Sequence, residues 1–509
     1  MSLQTTIPRK LEALRNLPRE EQYIGVAVAV AVIAAAVYTS KSSKKNTAPF
    51  VSGSTPAGNV TYDQDPRAWT EYYAKLYGGT FRTDVFPRIG TVVGRDLVRE
   101  VMLSDDFSLT SASEDFFDVS HMIGIQDKDK YTGAITVVSK YLNPNLKYYT
   151  PRVNHQLSYV ADKWLGDLKE PKIVHHLFPF VQSMVAKASV SVFLGEVLAQ
   201  NDSLCESLGS ITSEVGANLK QNWLMKNFPT FNSLYQRYIF PHKAFVSHHR
   251  MNAKKYIIPE VERRLREQNN PGYERPNDML QNLLEMYPAD GDYGVPYEDY
   301  VINWTFLLVF ASIHTTTENT TMVLYWLMKY PQYIDELLEE QKAIIESEGT
   351  QGQDPELSFD VIKKLVKLDS FVREVLRQRT VGLSLQHKNI NKHDIELSNG
   401  IIIPSGEHIY FNSWDVSRAT DLQGQDAEDF QPWRFVDSNK QAVRIGEDHI
   451  TFGMGKHACP GRFFAVQEIK TITSMLISNY KMTPATEVSL PSTLRGMPMG
   501  VISFENRNN

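Results

Sequence analysis

A chain of 509 residues, 42% hydrophobic and 22% charged, exceeds the usual single-domain length and has a globular composition with no low-complexity tract. Its net charge of −6 is spread along the chain, which gives no reason to expect nucleic acid as a partner. Two cysteines, Cys205 and Cys459, close at most one disulfide, so no disulfide framework holds the fold and a reducing compartment suits it.

Residues 1–22 read as a polar tail of mixed charge. They precede an uncharged run from Tyr23 to Tyr38, rich in Val, Ala and Ile, within an expected membrane-anchor helix over residues 23–39. At 1.5 Å per residue that run reaches roughly 24 Å, slightly short of a ~30 Å hydrocarbon core, with a tyrosine at each interface. The mixed-charge residues ahead of it favour a retained anchor over a cleaved signal peptide. Arg9, Lys10, Arg15 and Arg19 flank one end and Lys41, Lys44 and Lys45 the other, so charge alone leaves the orientation open. Residues 40–60, with Ser, Lys, Asn, Pro and Gly, read as a linker, and 61–509 as the catalytic domain.

Asp65 to Leu76 has the apolar stripe of a short helix, Phe81 to Val93 reads as two strands, and Arg95 to Met102 as a helix. From about 110 to 275 the pattern is mainly helical, interrupted at Asn143-Pro144-Asn145. A central helix is predicted from Tyr297 to Tyr330. It carries Ala311-Ser312-Ile313-His314-Thr315-Thr316, and three consecutive threonines are costly in mid-helix. A lone threonine there bonds back to its own helix; His314 is either a group titrating near neutrality or a core histidine. Leu365 to Arg379 is a further helix, with Glu374 and Arg377 at i and i+3 on one face. Gln386 to Gly406 is strand-like.

Cys459 then appears in Phe452-Gly453-Met454-Gly455-Lys456-His457-Ala458-Cys459-Pro460-Gly461-Arg462, a glycine-rich loop running into a helix over Phe463 to Leu476. Gly455 and Gly461 permit turns and close approach, and a sulfur beside a helix N-terminus is favoured as thiolate. Such a thiolate can ligate a haem iron axially and push electron density toward O–O cleavage. The alternative for a free cysteine is a buried structural residue.

The spacing Phe-x-x-Gly-x-basic-x-Cys-x-Gly, met by Phe452, Gly455, His457, Cys459 and Gly461, resembles the haem-binding signature of the cytochrome P-450 family. The resemblance implies a mainly helical fold with a smaller β-region, a haem b whose iron takes Cys459 as axial ligand, and insertion of one oxygen atom from dioxygen. Thr315 falls in register with the family's oxygen-activation threonine, while Ser312 stands for its usual glycine and His314 for its usual acid. Thr315, with or without His314, is then the expected proton donor. Glu374, Arg377 and Arg434 match a buried network that orders the thiolate loop, and Lys140 resembles a basic residue that contacts a haem propionate. The arginine that usually binds a propionate early in the strand after Arg379 is replaced by His387 and Lys388.

No Gly-rich dinucleotide fingerprint appears, so the resemblance implies electrons from a separate NADPH-cytochrome P450 reductase. It would dock near Cys459, where Lys456, Arg462 and Lys470 offer positive charge. The resemblance to microsomal members also implies an endoplasmic-reticulum membrane anchor with the catalytic domain cytosolic. The wording of the Cys459 and Thr315 segments resembles fungal members that oxidise steroids, diterpenoids and indole diterpenes, which points to an apolar fused-ring substrate, a steroid ahead of a terpenoid. Phe116, Phe117, Met122 and Ile123 are candidates for its pocket. A haem-thiolate isomerase or dehydratase is the alternative from another reaction class, since such relatives often lack the acid–threonine pair.

Overall fold

The computed structural model describes residues 47–507 except 57, 125–129, 219–228, 349–356, 381, 439 and 492–495. The tail, the expected anchor helix and the start of the linker lie outside the described residues. Among those described, no helix is long and apolar enough to cross a membrane.

Five helices build the part of the core that positions the site: α1 (Leu146–Leu165), α2 (Leu177–Phe193), α3 (Tyr297–Lys329), α4 (Val366–Gln378) and α5 (Arg462–Asn479). The longest, α3, has 33 residues, which at 1.5 Å per residue is about 50 Å. It starts after Pro296 with Glu298 and Asp299 in its first turn, where the helix dipole favours negative charge. It stops at Lys329, before Tyr330 and Pro331. Most of its side chains are buried on every side, as expected of a helix that runs through a core. Helix α2 packs between α1 and α3, and α5 packs against both α3 and α4.

A six-stranded sheet lies outside this bundle: β1 (Phe50–Val51), β2 (Phe81–Thr83), β3 (Gly90–Val93), β4 (Phe107–Ser108), β5 (Leu383–Asn389) and β6 (His408–Asn412), in the order β1-β2-β3-β6-β5-β4. Strands β3 and β6 pair in parallel at its centre and are buried along their whole length, as strands covered on both faces are. The strand-like stretch expected from Gln386 to Gly406 divides. Strand β5 begins earlier, at Leu383, and Ile395–Glu396 with Ile402–Ile403 form a separate ribbon. A register shift between Ser384 and His387, with Leu385 at φ +51°, bends β5 at its centre.

Candidate functional site

The Cys459 loop is held by its own backbone. The Cys459 amide donates to Phe452 O at 2.8 Å, Ala458 to Gly455 O at 3.2 Å and Gly453 to Ile450 O at 2.8 Å. Gly455 has φ +60°, and a Cβ there would stand 2.7 Å from Leu103 Cδ2, so glycine is required by backbone and space alike. Gly461 is different: its φ is −85° and an added Cβ would meet nothing within 4 Å. It leaves the side of the cysteine open rather than making a turn. Two side chains clamp the loop from outside, Arg462 Nη1 donating to Cys459 O at 2.8 Å and Asn143 Nδ2 to Pro460 O at 3.0 Å.

Cys459 is half-buried, and its electrostatics differ from the thiolate expected beside a helix N-terminus. Burial pushes the Cys459 thiol up, and the Gly461 and Arg462 backbone amides and the Arg462 charge oppose this only in part. The helix terminus alone therefore does not make the thiolate; a coordinated metal ion, the larger local charge, does so outright.

On α3, Ile313, Thr316 and Thr317 are buried, yet Ala311 and Thr315, one turn apart, are exposed. The Thr315 hydroxyl donates to Ala311 O at 2.9 Å and Ser312 O at 3.3 Å, the resting bond of a mid-helix threonine. His314 points elsewhere. Its ring stands edge-on to Phe178 of α2 with centroids 6.0 Å apart, and its Nδ1 is buried without a hydrogen bond. Structure thus puts Thr315 on the open face and His314 in the contact between α2 and α3.

Glu374, Arg377 and Arg434 come together as a buried cluster. Arg377 Nε and Nη2 donate to the two Glu374 oxygens at 2.8 and 2.7 Å, and Arg434 Nε approaches the same carboxylate at 3.3 Å. Arg377 also donates to Ser417 O and Ala427 O, each at 2.6 Å, and Arg434 to Gln423 O and Asp426 Oδ1, each at 2.6 Å. One helix face thereby grips the segment that leads to Cys459. The same face holds two residues that the sequence reading missed. Arg373 donates to Gln441 O at 2.8 Å and Arg444 O at 3.0 Å, and Asp369 accepts from the Ala442 amide at 2.7 Å. The available signal was spacing, since 369, 373 and 377 lie one turn apart.

His387 and His457 meet with ring centroids 5.4 Å apart. His387 Nδ1 contacts Leu385 O at 2.7 Å, while its Nε2 is buried and unpartnered beside the Cys459 loop. An orphaned ring nitrogen here, an open face on α3 and a soft sulfur donor together fit a haem with carboxylate arms. Lys388 is taken up by Asp115 at 2.8 Å. Lys140 is exposed, its Nζ 4.9 Å from the Tyr141 ring centre. The expected cationic docking group also looks different in structure. Lys470 is buried and paired with Asp369 at 3.2 Å, Lys456 is paired with Asp105 at 2.6 Å, and Arg462 is spent on backbone carbonyls. Phe116 and Phe117 sit in edge-on contacts with His408 and Phe240, 5.4 and 6.2 Å apart, and Ile123 is buried in the main core.

Burial pushes His387 down to about 4 and His449 down to about 3. Both lie below the ordinary histidine value near 6.5. Between those values and pH 6.5 the unfolded chain binds protons that the folded chain refuses, so folding stability rises with pH there. The apoprotein is expected to keep this contribution above pH 6.5 and lose it as the pH falls toward 4, by up to about 1.4 kcal/mol per unit for each group. Denaturation midpoints between pH 7 and 4.5 check this. A His449→Gln variant should flatten the decline, and an unchanged slope would sink the assignment.

The family profile described as Cytochrome P450 matches residues 57–508. Among curated relatives, the cytochrome P450 monooxygenase AN1598 of Emericella nidulans is 29% identical over 364 residues, covering 69% of this chain and 65% of that protein. The cytochrome P450 monooxygenase olcJ of Penicillium canescens is 28% identical, covering 70% and 68%. Among solved structures, the retinoic acid-bound cyanobacterial CYP120A1 superposes with a TM-score of 0.63 at 18% identity, over 91% of this chain and 100% of that one. That likeness is one of fold.

Proposed function

This chain belongs to the cytochrome P450 family, and we propose that it is a haem-thiolate monooxygenase that inserts one oxygen atom from dioxygen into an apolar fused-ring substrate, most readily a steroid. The observation that carries the reading is the exposure of Thr315, with Ala311 one turn before it, in the middle of a largely buried α3, in a core that also holds the half-buried Cys459. The family implies a haem with a cysteine thiolate ligand; haem b is the form proposed here. Bound there, the haem supplies dioxygen activation and oxygen transfer.

The protein's own residues have separate tasks. Cys459 would ligate the iron from a loop fixed by Gly455, Arg462 and Asn143. His387 and His457 would hold the carboxylate arms, with the unpartnered His387 Nε2 available as donor. A carboxylate arriving beside His387 raises its proton affinity, opposing the burial. Thr315 delivers a proton at the open face, and Glu374, Arg377 and Arg434 order the approach to the cysteine. An anchor helix over residues 23–39 would tether the chain to the endoplasmic-reticulum membrane with its catalytic domain in the cytosol. NADPH-cytochrome P450 reductase would supply electrons.

Co-expression with a microsomal NADPH reductase, with progesterone and ent-kaurene offered together, tests this. NADPH-dependent gain of one oxygen on progesterone supports the full reading. Gain on ent-kaurene alone moves the substrate to a diterpenoid, and turnover without reductase would replace the monooxygenase by an isomerase or dehydratase. In a Thr315→Ala variant, product per NADPH is expected to fall by about tenfold or more, with hydrogen peroxide appearing instead. Coupling equal to wild type would remove Thr315 from proton delivery.

A further inference from the structure

Between Asp299 and Lys329, α3 carries one acidic or basic side chain besides His314, and that is Glu318. Glu318 and Asn319 follow Thr315 by three and four residues, so they continue the face on which Ala311 and Thr315 are exposed. Arg379, just past the end of α4, meets both. Its Nη2 donates to Glu318 Oε1 at 2.7 Å and its Nη1 to Asn319 Oδ1. Asn319 Nδ2 in turn donates to Thr315 O at 2.8 Å. The ion pair is thereby fixed to the backbone of the Thr315 turn.

Fastening α3 to α4 does not require this pair. The Glu318 and Arg379 side chains are 27% and 21% exposed, and an ion pair open to solvent contributes little to stability. Each partner also keeps an unused atom. Among the described residues, nothing donates to Glu318 Oε2 and nothing accepts from Arg379 Nε. With both Nη groups held, the guanidinium is oriented, and the pair presents one acceptor beside one donor. That combination selects among ligands. A carboxylate is repelled by Glu318 and an ammonium by Arg379. A neutral hydroxyl fits, because it donates to Oε2 and accepts from Nε at once. A ketone, which only accepts, uses half of the site.

We propose that Glu318 and Arg379 anchor a neutral hydroxyl group of the substrate one helical turn from Thr315, so that the substrate is a fused-ring alcohol rather than a hydrocarbon. This rests on the monooxygenase reading above and narrows its substrate class. A bare hydrocarbon takes water from the pair without replacing the hydrogen bonds, which is how the anchor discriminates. The hydroxyl is present before the substrate arrives, so a hydroxylation or a ketone reduction precedes this reaction.

The test titrates the haem-loaded full chain with androstane, androstanone and two androstanol isomers, with the hydroxyl at either end of the skeleton. The readout is the substrate-induced change in the haem spectrum. Wild type is expected to bind one alcohol isomer about tenfold or more tighter than androstane, with the ketone between. In the double variant Glu318→Leu with Arg379→Leu, which strands neither charge, that ratio should fall to near one. Glu318→Gln, which keeps a contact to Arg379, should lower the ratio by about threefold or more, since the charge-assisted bond is lost. A pair that merely braces the helices would weaken alcohol and hydrocarbon alike and leave the ratio unchanged. An unchanged ratio, or a wild type that binds the alcohols no tighter than androstane or binds none of the four, overturns the anchor. NADPH-dependent oxygenation of any apolar probe would then still uphold the monooxygenase; absence of a haem-thiolate carbonyl spectrum would remove both.

Discussion

Replacing Glu374 with alanine is expected to cost roughly 3–5 kcal/mol of folding stability, the range for stranding a buried charge. Glu374 is fully buried and accepts from Arg377 at 2.8 and 2.7 Å, from Arg434 at 3.3 Å and from the Gln431 amide at 2.9 Å. Without it, two guanidinium groups remain in the interior with no carboxylate between them. Set against the 5–15 kcal/mol that ordinarily separates folded from unfolded chains, the loss removes a large part of the margin. Removing both charges, as in Glu374→Leu with Arg377→Leu, is not expected to restore stability. Arg377 also serves the Ser417, Ala427 and Asp429 carbonyls, which would lose their donor in the interior. Urea midpoints of the apoprotein decide the matter: a Glu374→Ala midpoint equal to wild type, or a double variant as stable as wild type, would show that the cluster does not order this segment.

How far this network was legible depends on which bonds are local. Glu374 and Arg377 lie three residues apart on one helix, so spacing placed them on one face. The Cys459 loop was likewise visible as one linear pattern, with Gly455 at φ +60° against Leu103 giving the structural reason for its glycine. Arg373 and Asn143 were not legible. Arg373 matters because Gln441 and Arg444 present carbonyls to it, and Asn143 because Pro460 does. Each of those contacts crosses between segments far apart in sequence, and no periodicity encodes it. The contrast between His314 and Thr315 is subtler. One step along a helix turns a side chain by about 100°, enough to put Thr315 on the open face and His314 against Phe178. Register to that resolution requires knowing which helix lies alongside. The same holds for the surface: Lys470 reads as a free cation in sequence, and becomes a buried partner of Asp369 once α4 and α5 are packed.

Cys459→Ser is expected to abolish both turnover and the haem-thiolate carbonyl spectrum while leaving the apoprotein folded. The two consequences separate because the loop is held through backbone atoms. Phe452 O accepts from the residue-459 amide at 2.8 Å, Arg462 reaches the residue-459 carbonyl at 2.8 Å, and Asn143 binds Pro460 O at 3.0 Å. None of these bonds involves the sulfur, so the stability of the metal-free chain should move by less than about 1 kcal/mol. Ligation is another matter: a serine hydroxyl is neither a thiolate at neutral pH nor a soft donor to iron. Cys205 provides the control. It is buried, its thiol is pushed up to about 12 by burial, and its Sγ contacts Ala199 O at 3.5 Å, so it behaves as a small apolar side chain. Cys205→Ala should retain the spectrum and the turnover. If Cys459→Ser kept the thiolate spectrum, the iron ligand would have to be sought elsewhere; if it unfolded the apoprotein, the sulfur would have a packing role that the backbone bonds do not require.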